Sequence, residues 1–254
     1  MKKLILSSLF LINALITWAQ NGSVVLIEEF TETGCGACSQ YDSAFQALTD
    51  LNSDKVAVIN FHCYYALDTF YMYNMSCDRR YSDYKLSGYP SATANGMKGI
   101  PSSGHLAYIN QQLIDRLYNQ EQKYKLELMS SKGKSGNHSV KIKVNATALK
   151  DVEGEDIRLF VVVTENNIDH EKRYNKKATN GINKFNHIMR AFLPNIEGTK
   201  IGKQKKDKVN TVAVNYTNDD KEINFKEVQI VAFVQDMTTM EVLGAMATKE
   251  HPFK

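Results

Sequence analysis

Two cysteines three residues apart stand where a buried-strand pattern gives way to a helical pattern, and this junction constrains the fold more than any other feature of the chain. Residues 24–30 form an apolar, β-branched run that is typical of a central strand. Residues 35–38 read Cys-Gly-Ala-Cys and follow a short turn that contains Thr and Gly. Tyr41, Phe45 and Leu48 then recur at i, i+4 and i+7, so the sequence predicts a helix that begins at the cysteine pair.

The first nineteen residues have the pattern of a secretory signal peptide. Lys2 and Lys3 precede an apolar run at residues 4–16, and Thr17 and Ala19 supply the small residues that a signal peptidase recognises. The run of about 13 residues is shorter than the roughly 20 that span a bilayer. We expect cleavage after Ala19, with an uncleaved membrane anchor as the alternative.

The remaining chain should be exported and either soluble or only peripherally attached to a membrane. No later segment has the roughly 18 continuous apolar residues of a membrane span, and no cysteine that could take a lipid anchor lies near the cleavage point. The predicted mature protein begins near Gln20. Export to an oxidising compartment also allows disulfides to persist, which decides how the four cysteines are interpreted.

The first cysteine pair is predicted to be redox-active. Cys35 should lie at a helix N-terminus, where unsatisfied N–H groups and the positive end of the helix dipole stabilise a thiolate. A thiolate is the species that attacks a disulfide, and Cys38, one helical turn deeper, is placed to resolve the resulting mixed disulfide. The alternative is a structural disulfide in a binding scaffold.

The second pair, Cys63 and Cys77, is predicted to form a disulfide, with two buried free thiols as the alternative. A structural zinc site is not favoured, because these cysteines stand 14 positions apart and no pair of histidines at metal-binding spacing follows. His62 could tune Cys63, but a single histidine at a strand end is more often structural. We therefore expect neither a metal nor a cofactor.

The first half of the chain resembles the thioredoxin fold. Residues 55–62 form a second β-type run, and a tyrosine-rich helical stretch separates it from residues 88–96, where Tyr89-Pro90 enters a further strand. This β-α-β beginning, with the cysteine pair in the first turn and an X-Pro entering a later strand, is the pattern of thioredoxin-like proteins.

The resemblance implies roles for particular residues. The Tyr89–Pro90 bond would be cis and would face Cys35, where these residues, with Gly36 and Ala37, would hold the substrate. Glu29 would be a buried carboxylate beneath Cys38. The alternatives are a trans proline on an edge strand and an exposed carboxylate at a strand end. The sequence departs from the family in two ways: Gly34 stands where an aromatic residue is common, and the motif lacks the usual Pro or His.

The second half predicts an all-β, sandwich-like domain, with the boundary near Gln120. From about Tyr124 onward, short alternating runs are separated by turn clusters at residues 131–137 and 217–220. Before the boundary, apolar residues at three- and four-residue spacing predict a helix capped by Ser102 or Ser103; they are Leu106, Ile109, Leu113 and Leu117. The expected division is residues 1–19, 20–120 and 121–254.

Electrostatics argues against nucleic acid as a partner. The formal net charge is +3, which is too balanced to indicate a polyanion. Residues 200–208 contain five lysines, but a polar loop of this kind is usually solvated.

The whole pattern resembles the 28-kDa outer-membrane protein family of Bacteroidetes, on the first-half motifs and on residues 185–192. The resemblance implies an envelope location and a loosely described adhesin- or receptor-like role. His187 and Arg190 are either surface recognition residues or, more simply, a packed pair.

We therefore expect an exported envelope protein, located in the periplasm or at the outer membrane, that exchanges disulfides with protein substrates. Cys35 would be the nucleophile, Cys38 the resolving thiol and Glu29 the proton acceptor. The competing interpretation is a non-catalytic interaction protein built on the same scaffold. The sequence does not indicate the direction of electron flow or the oligomeric state.

Overall fold

The computed structural model describes residues 16–19, 24–63, 68–71, 76–96, 100–101, 104–134, 136–218 and 223–248. The first part of the chain alternates strands and helices. Its elements are β1 (Ile16–Ala19), β2 (Val25–Thr31), α1 (Gly36–Leu51), β3 (Val56–His62), α2 (Ser76–Asp83), β4 (Ser91–Ala94) and α3 (Gln111–Tyr118).

The second part consists mostly of strands. Its elements are β5 (Tyr124–Gly133), β6 (Gly136–Ala148), β7 (Ile157–Glu165), β8 (Ile168–Asp169), α4 (His170–Tyr174), β9 (Lys184–Phe185), β10 (Ile188–Leu193), β11 (Thr199–Lys200), β12 (Val209–Thr217), β13 (Val228–Asp236) and β14 (Val242–Ala247). The architecture is therefore mixed α/β, with strands forming most of it.

β2 is the central strand of the first part. It pairs parallel to β3 and antiparallel to β4, and all seven of its residues are buried. Its alternate side chains enter two different cores. Ile27 packs with Phe45 of α1 and Leu113 of α3, whereas Phe30 packs on the other face against Tyr84, just beyond α2. Burial on both faces explains the nearly continuous apolar run of the sequence.

One large sheet joins the two parts of the chain. Its strand order is β14-β13-β7-β10-β3-β2-β4, with β11 added at β7. The link is a parallel pairing of β10 with β3, in which Ile188 lies opposite Asn60. The boundary predicted near Gln120 does fall between α3 and β5, but the large sheet continues across it.

A second sheet covers one face of the strand-rich part, as a sandwich-like domain requires. Its strand order is β1-β5-β6-β12, and β5, β6 and β12 form consecutive antiparallel pairs. Side chains from both sheets interdigitate in a shared core. Its members include Leu126, Val144, Leu159, Ile230 and Leu243.

β1 lies within the predicted signal peptide. Ile16–Ala19 pairs antiparallel with residues 127–130 of β5, at the edge of the second sheet. Residues 1–15 and 20–23 are outside the described residues, so cleavage after Ala19 stays a prediction. Within the described parts of the chain, no helix combines the length and apolar character that crossing a bilayer needs.

The helix predicted from Ser102 or Ser103 begins later than expected. α3 starts at Gln111, because the Asn110 side chain accepts a hydrogen bond from the Leu113 N–H at 3.0 Å and caps the helix. Leu106 belongs to a separate 3₁₀ turn over Leu106–Tyr108. The two serines lie outside the described residues.

A buried ionic network fastens α2 to the large sheet. Arg80 is 1% exposed, and its Nε donates to Glu28 Oε1 on β2 at 2.7 Å. Its Nη2 donates to Gln235 Oε1 on β13 at 2.7 Å and to the Tyr84 hydroxyl at 2.9 Å. The Tyr84 hydroxyl also donates to Glu28. One guanidinium therefore ties together strands from both parts of the chain.

Candidate active site

The cysteine pair stands at the N-terminus of α1. Cys35 is the N-cap residue, with extended backbone, and its Sγ accepts a hydrogen bond from the Cys38 N–H at 3.0 Å. The two sulfurs are joined in a disulfide. Cys38 is fully buried and Cys35 is only half-buried, so Cys35 is the sulfur that a partner molecule can reach.

The surroundings of Cys35 favour a thiolate when the disulfide is reduced. The first turn of α1 contains no acidic side chain, so the positive end of its dipole is not neutralised there. Gly36 and Ala37 are exposed, and a Cβ added at Gly36 would meet open space. The backbone between the cysteines is therefore open to an incoming chain.

The loop before Cys35 is held from two directions. The Thr33 N–H donates to Asp68 Oδ2 at 2.7 Å, and the Cys35 N–H donates to the Glu32 carbonyl at 3.3 Å. From the second part of the chain, the Asn180 N–H donates to the Thr33 carbonyl at 2.8 Å. The strand-rich part thus helps to position Cys35.

His62 helps to hold this loop through Asp68, and its role does not concern Cys63. Its Nδ1 lies 2.8 Å from Asp68 Oδ2, and both side chains are almost completely buried. Burial disfavours ionisation of Asp68, but His62 and the N–H groups of Thr33 and Phe70 outweigh it and hold its pKa below the usual value. Burial, and then the Asp68 charge, raise the pKa of the neighbouring Glu32 to about 7.

Glu29 is buried beneath α1, with 1% of its surface exposed. It lies on the α1 face of β2, opposite Asn60 of β3 in register. Burial, followed by the nearby Asp42 carboxyl, raises the pKa of Glu29 well above its usual value. Its predicted role as a proton acceptor stays a prediction.

Asp42 connects Glu29 with the helix that carries Cys38. It follows Cys38 by four residues, so the two side chains are neighbours on one face of α1. The Thr31 hydroxyl donates to Asp42 Oδ2 at 3.5 Å. Burial raises the pKa of Asp42 to about 6, against the opposing effect of His62. Two carboxyl groups that resist ionisation therefore lie together below the helix.

Tyr89 and Pro90 lie at the same end of the sheet as the cysteine pair. Their peptide bond is cis. Phe30 is opposite Ser91 in register, so Pro90 is beside the end of β2, from which the loop to Cys35 departs. The Tyr89 ring packs against the Tyr81 ring with centroids 5.0 Å apart.

A cavity of about 520 Å³ opens beside α1. One wall consists of α1 residues from Ser39 to Thr49, and Glu29, Thr31 and Asn60 form its floor. The opposite wall is the segment 180–187 from the second part of the chain. The two raised-pKa carboxyls thus face a space large enough for a small molecule.

The remaining two cysteines form a separate pair. Cys63 and Cys77 are bonded to each other and fully buried. Asp78 lies close to both sulfurs, but bonded sulfurs are not thiolate ligands for a metal.

Arg190 is packed inside the protein, whereas His187 lines the cavity. Arg190 is buried, and its Nε donates to Glu165 Oε2 at 2.9 Å, so Arg190 is packed against Glu165. His187 Nδ1 lies 3.3 Å from Gln229 Oε1, and His187 also lines the cavity. In the lysine-rich segment, Lys205 pairs with Asp151 at 2.8 Å, and both are exposed, as a solvated loop requires.

Sequence reasoning missed Asp42, Asp68 and Asn180. Asp42 could have been found, because Cys38, Asp42, Phe45 and Thr49 recur at spacings of four, three and four on one helix face. The contacts that these two residues make with the loop before Cys35 are long-range, since Thr33 lies 35 residues from Asp68 and 147 residues from Asn180 in the chain, and no local pattern indicates them.

The fold is similar to that of two solved structures. HBP35 of Porphyromonas gingivalis is 17% identical over 92% of this chain and 77% of its own, with a TM-score of 0.71. A protein from Agrobacterium tumefaciens is 15% identical over 90% of this chain and 95% of its own, with a TM-score of 0.51. At these identities the likeness concerns the fold alone. No curated protein matches the chain.

The family comparison gives a firmer result. The family described as Outer membrane protein Omp28 matches residues 78–249, which is more than half of the chain. The matched region begins within α2, after the Cys35–Cys38 motif, and includes the cis proline and the strands β4 to β14. The resemblance predicted from the sequence is confirmed, and so is the envelope location. This chain is a member of the Omp28 family of outer membrane proteins.

Proposed function

We propose that this envelope protein catalyses thiol–disulfide exchange on protein substrates through Cys35 and Cys38. The observation that carries the proposal is the pairing of a reachable cysteine at a helix N-cap with a fully buried one, above two buried carboxyl groups. A structural disulfide needs neither the half-buried position of Cys35 nor the buried acids.

The first step starts from the reduced protein. The Cys35 thiolate attacks one sulfur of a substrate disulfide, forming a Cys35–substrate bond as the substrate S–S bond breaks. The second substrate sulfur leaves as a thiolate and takes a proton from water. The dipole of α1 stabilises the attacking thiolate before this step.

The second step releases the substrate. Cys38 loses its proton and attacks Cys35 Sγ, so the Cys35–Cys38 bond forms while the substrate sulfur leaves as a thiolate. We assign acceptance of the Cys38 proton to the carboxyl pair, with Asp42 next to Cys38 on the helix and Glu29 behind it. The substrate is reduced by two electrons and the cysteine pair is oxidised by two. The reverse sequence oxidises a substrate dithiol.

The substrate chain would lie across Gly36 and Ala37, with Tyr89 and Pro90 on its other side. The exposed backbone between the cysteines and the position of Pro90 beside the end of β2 support this placement. Extended peptides commonly bind by backbone hydrogen bonds to such edges.

A non-catalytic interaction protein is the second candidate. The observation in its favour is that the family match begins at residue 78, so membership of the Omp28 family does not depend on the motif. On this alternative the first part is a scaffold, the Cys35–Cys38 bond is structural, and the strand-rich part binds the partner.

Trapping of substrates separates the two candidates. With Cys38→Ala the mixed disulfide forms but is not resolved, so protein adducts that disappear on reduction should accumulate in the envelope. The matched control is Cys35→Ala, which lacks the nucleophile and should trap little. The rate of Cys35 alkylation against pH is the second readout, and it should show a thiol pKa below the ordinary value of about 8.5. An absence of adducts together with an ordinary pKa would establish the scaffold alternative.

A further inference from the structure

The cavity beside α1 is lined by oxygen acceptors that lack donors. Three buried side-chain oxygens have no hydrogen-bond partner: Glu29 Oε1, Asp42 Oδ1 and Asn60 Oδ1. All three residues line the cavity. Buried acceptors are rarely left unpaired in folded proteins, so three together at one cavity point to a ligand that supplies donors.

The three oxygens lie on neighbouring positions. Glu29 and Asn60 are opposite each other on adjacent strands, which run about 4.8 Å apart. Asp42 reaches them from α1, close enough to affect the ionisation of Glu29. The Asn60 Nδ2 donates to the Asn186 carbonyl at 3.2 Å, which orients the Asn60 amide and leaves its oxygen as the free atom.

Positive charge compensates the carboxyl pair only weakly, since the effect of His62 on the pKa of Asp42 is smaller than the effect of burial. In the described part of the chain, no lysine or arginine forms an ion pair with Glu29 or Asp42. Lys184 also lines the cavity, but its side chain is exposed. A buried carboxylate without a cation is costly, so a positive ligand would be bound more tightly than a neutral one.

We propose that this cavity binds the primary ammonium group of a small organic cation. An ammonium has three donors and no acceptor, so it can replace the proton that Glu29 and Asp42 share and also donate to the Asn60 oxygen. Phe45 and the segment 180–187 supply a partly apolar wall for a short carbon chain. The volume of about 520 Å³ lies within the range of small-molecule sites. The site shares Glu29 and Asp42 with the proposed exchange activity, but it involves neither sulfur and does not require exchange to take place.

Calorimetric titration of the oxidised wild-type protein tests the proposal with three probes of similar size. 1,4-Diaminobutane has both charge and N–H donors, butane-1,4-diol has donors without charge, and tetramethylammonium has charge without donors. The diamine should bind saturably at one site, and the other two at least about tenfold more weakly, as the loss of a charge-assisted hydrogen bond predicts. Because the cysteines stay bonded, the result does not depend on exchange activity.

Variants locate the site. Asp42→Asn should weaken diamine binding at least about tenfold, because it removes the charge and keeps the shape. The matched control is Asp54→Asn, an exposed aspartate beyond the end of α1, which should bind like wild type. Lys184→Ala should bind at least as tightly as wild type. The proposal is overturned by equal binding of the diol or of tetramethylammonium, by unchanged binding in a folded Asp42→Asn variant, or by no saturable diamine binding.

Discussion

Replacing Asp42 with asparagine should make the protein more stable at neutral pH and leave its stability almost unchanged in acid. Asp42 holds its proton up to a pKa of about 6 in the folded protein, because burial disfavours its charged form. In the unfolded chain the same group ionises near its ordinary value of 3.8. The folded state therefore binds more protons than the unfolded state between these two values.

The sign follows from this difference in proton binding. When the folded state binds more protons, the free energy of unfolding falls as pH rises, here from about pH 4 to about pH 6. The rise in the pKa of Asp42 from 3.8 to about 6 corresponds to a loss of about 3 kcal/mol in the free energy of unfolding. This is an upper value, because Asp42 is not fully buried. Asparagine does not titrate, so the free energy of unfolding of Asp42→Asn should not fall in this way between about pH 4 and about pH 6.

Urea denaturation at pH 3.5 and pH 7.5 measures the effect on the oxidised protein. The difference in unfolding free energy between Asp42→Asn and wild type should increase by up to about 3 kcal/mol from the lower to the higher pH. Asp54→Asn should have only a small effect at both. If the Asp42→Asn difference is the same at both pH values, Asp42 does not carry the burial penalty and the reasoning is refuted.

Three further predictions concern catalysis, stability and processing. Glu29→Gln removes the proposed base, so stopped-flow measurements should show slower resolution by Cys38 and an unchanged first attack, most clearly below neutral pH; equal resolution rates would contradict the assignment. Arg80→Met leaves the Glu28 carboxylate without its cation and should lower the unfolding free energy by about 3–5 kcal/mol in denaturant titrations. N-terminal sequencing of the exported protein should find Gln20 first, and an intact Met1 would exclude signal cleavage.

The sequence predicted those parts of the site that rest on local patterns. The strand at residues 25–31, the helix after it and the position of Cys35 at its N-terminus follow from apolar periodicity and from the motif between them. Alternation likewise predicted the strands now seen as β5, β6, β7 and β13. Each of these signals lies within about fifteen residues of chain.

The parts that were missed depend on long-range contacts. The pairing of Ile188 with Asn60 and the bond from Asn180 to Thr33 join segments more than 100 residues apart. No periodicity within either segment specifies its partner. The start of α3 was misjudged for a different reason: the apolar spacing continues backward through Leu106, where the chain forms a 3₁₀ turn instead of the first turn of the helix.

The β3–β10 pairing makes the chain a poor candidate for division into modules. If residues 20–120 were expressed alone, β3 would lose its pairing with β10 at Asn60. Arg80 would also lose its hydrogen bond to Gln235. The truncation would also remove Asn180 from the loop before Cys35. Unpaired strand edges are templates for aggregation, so such a fragment should tend to aggregate. The loop before Cys35 should also be less ordered in it. Swapping the first half between relatives would succeed only if the partner strand β10 were exchanged with it.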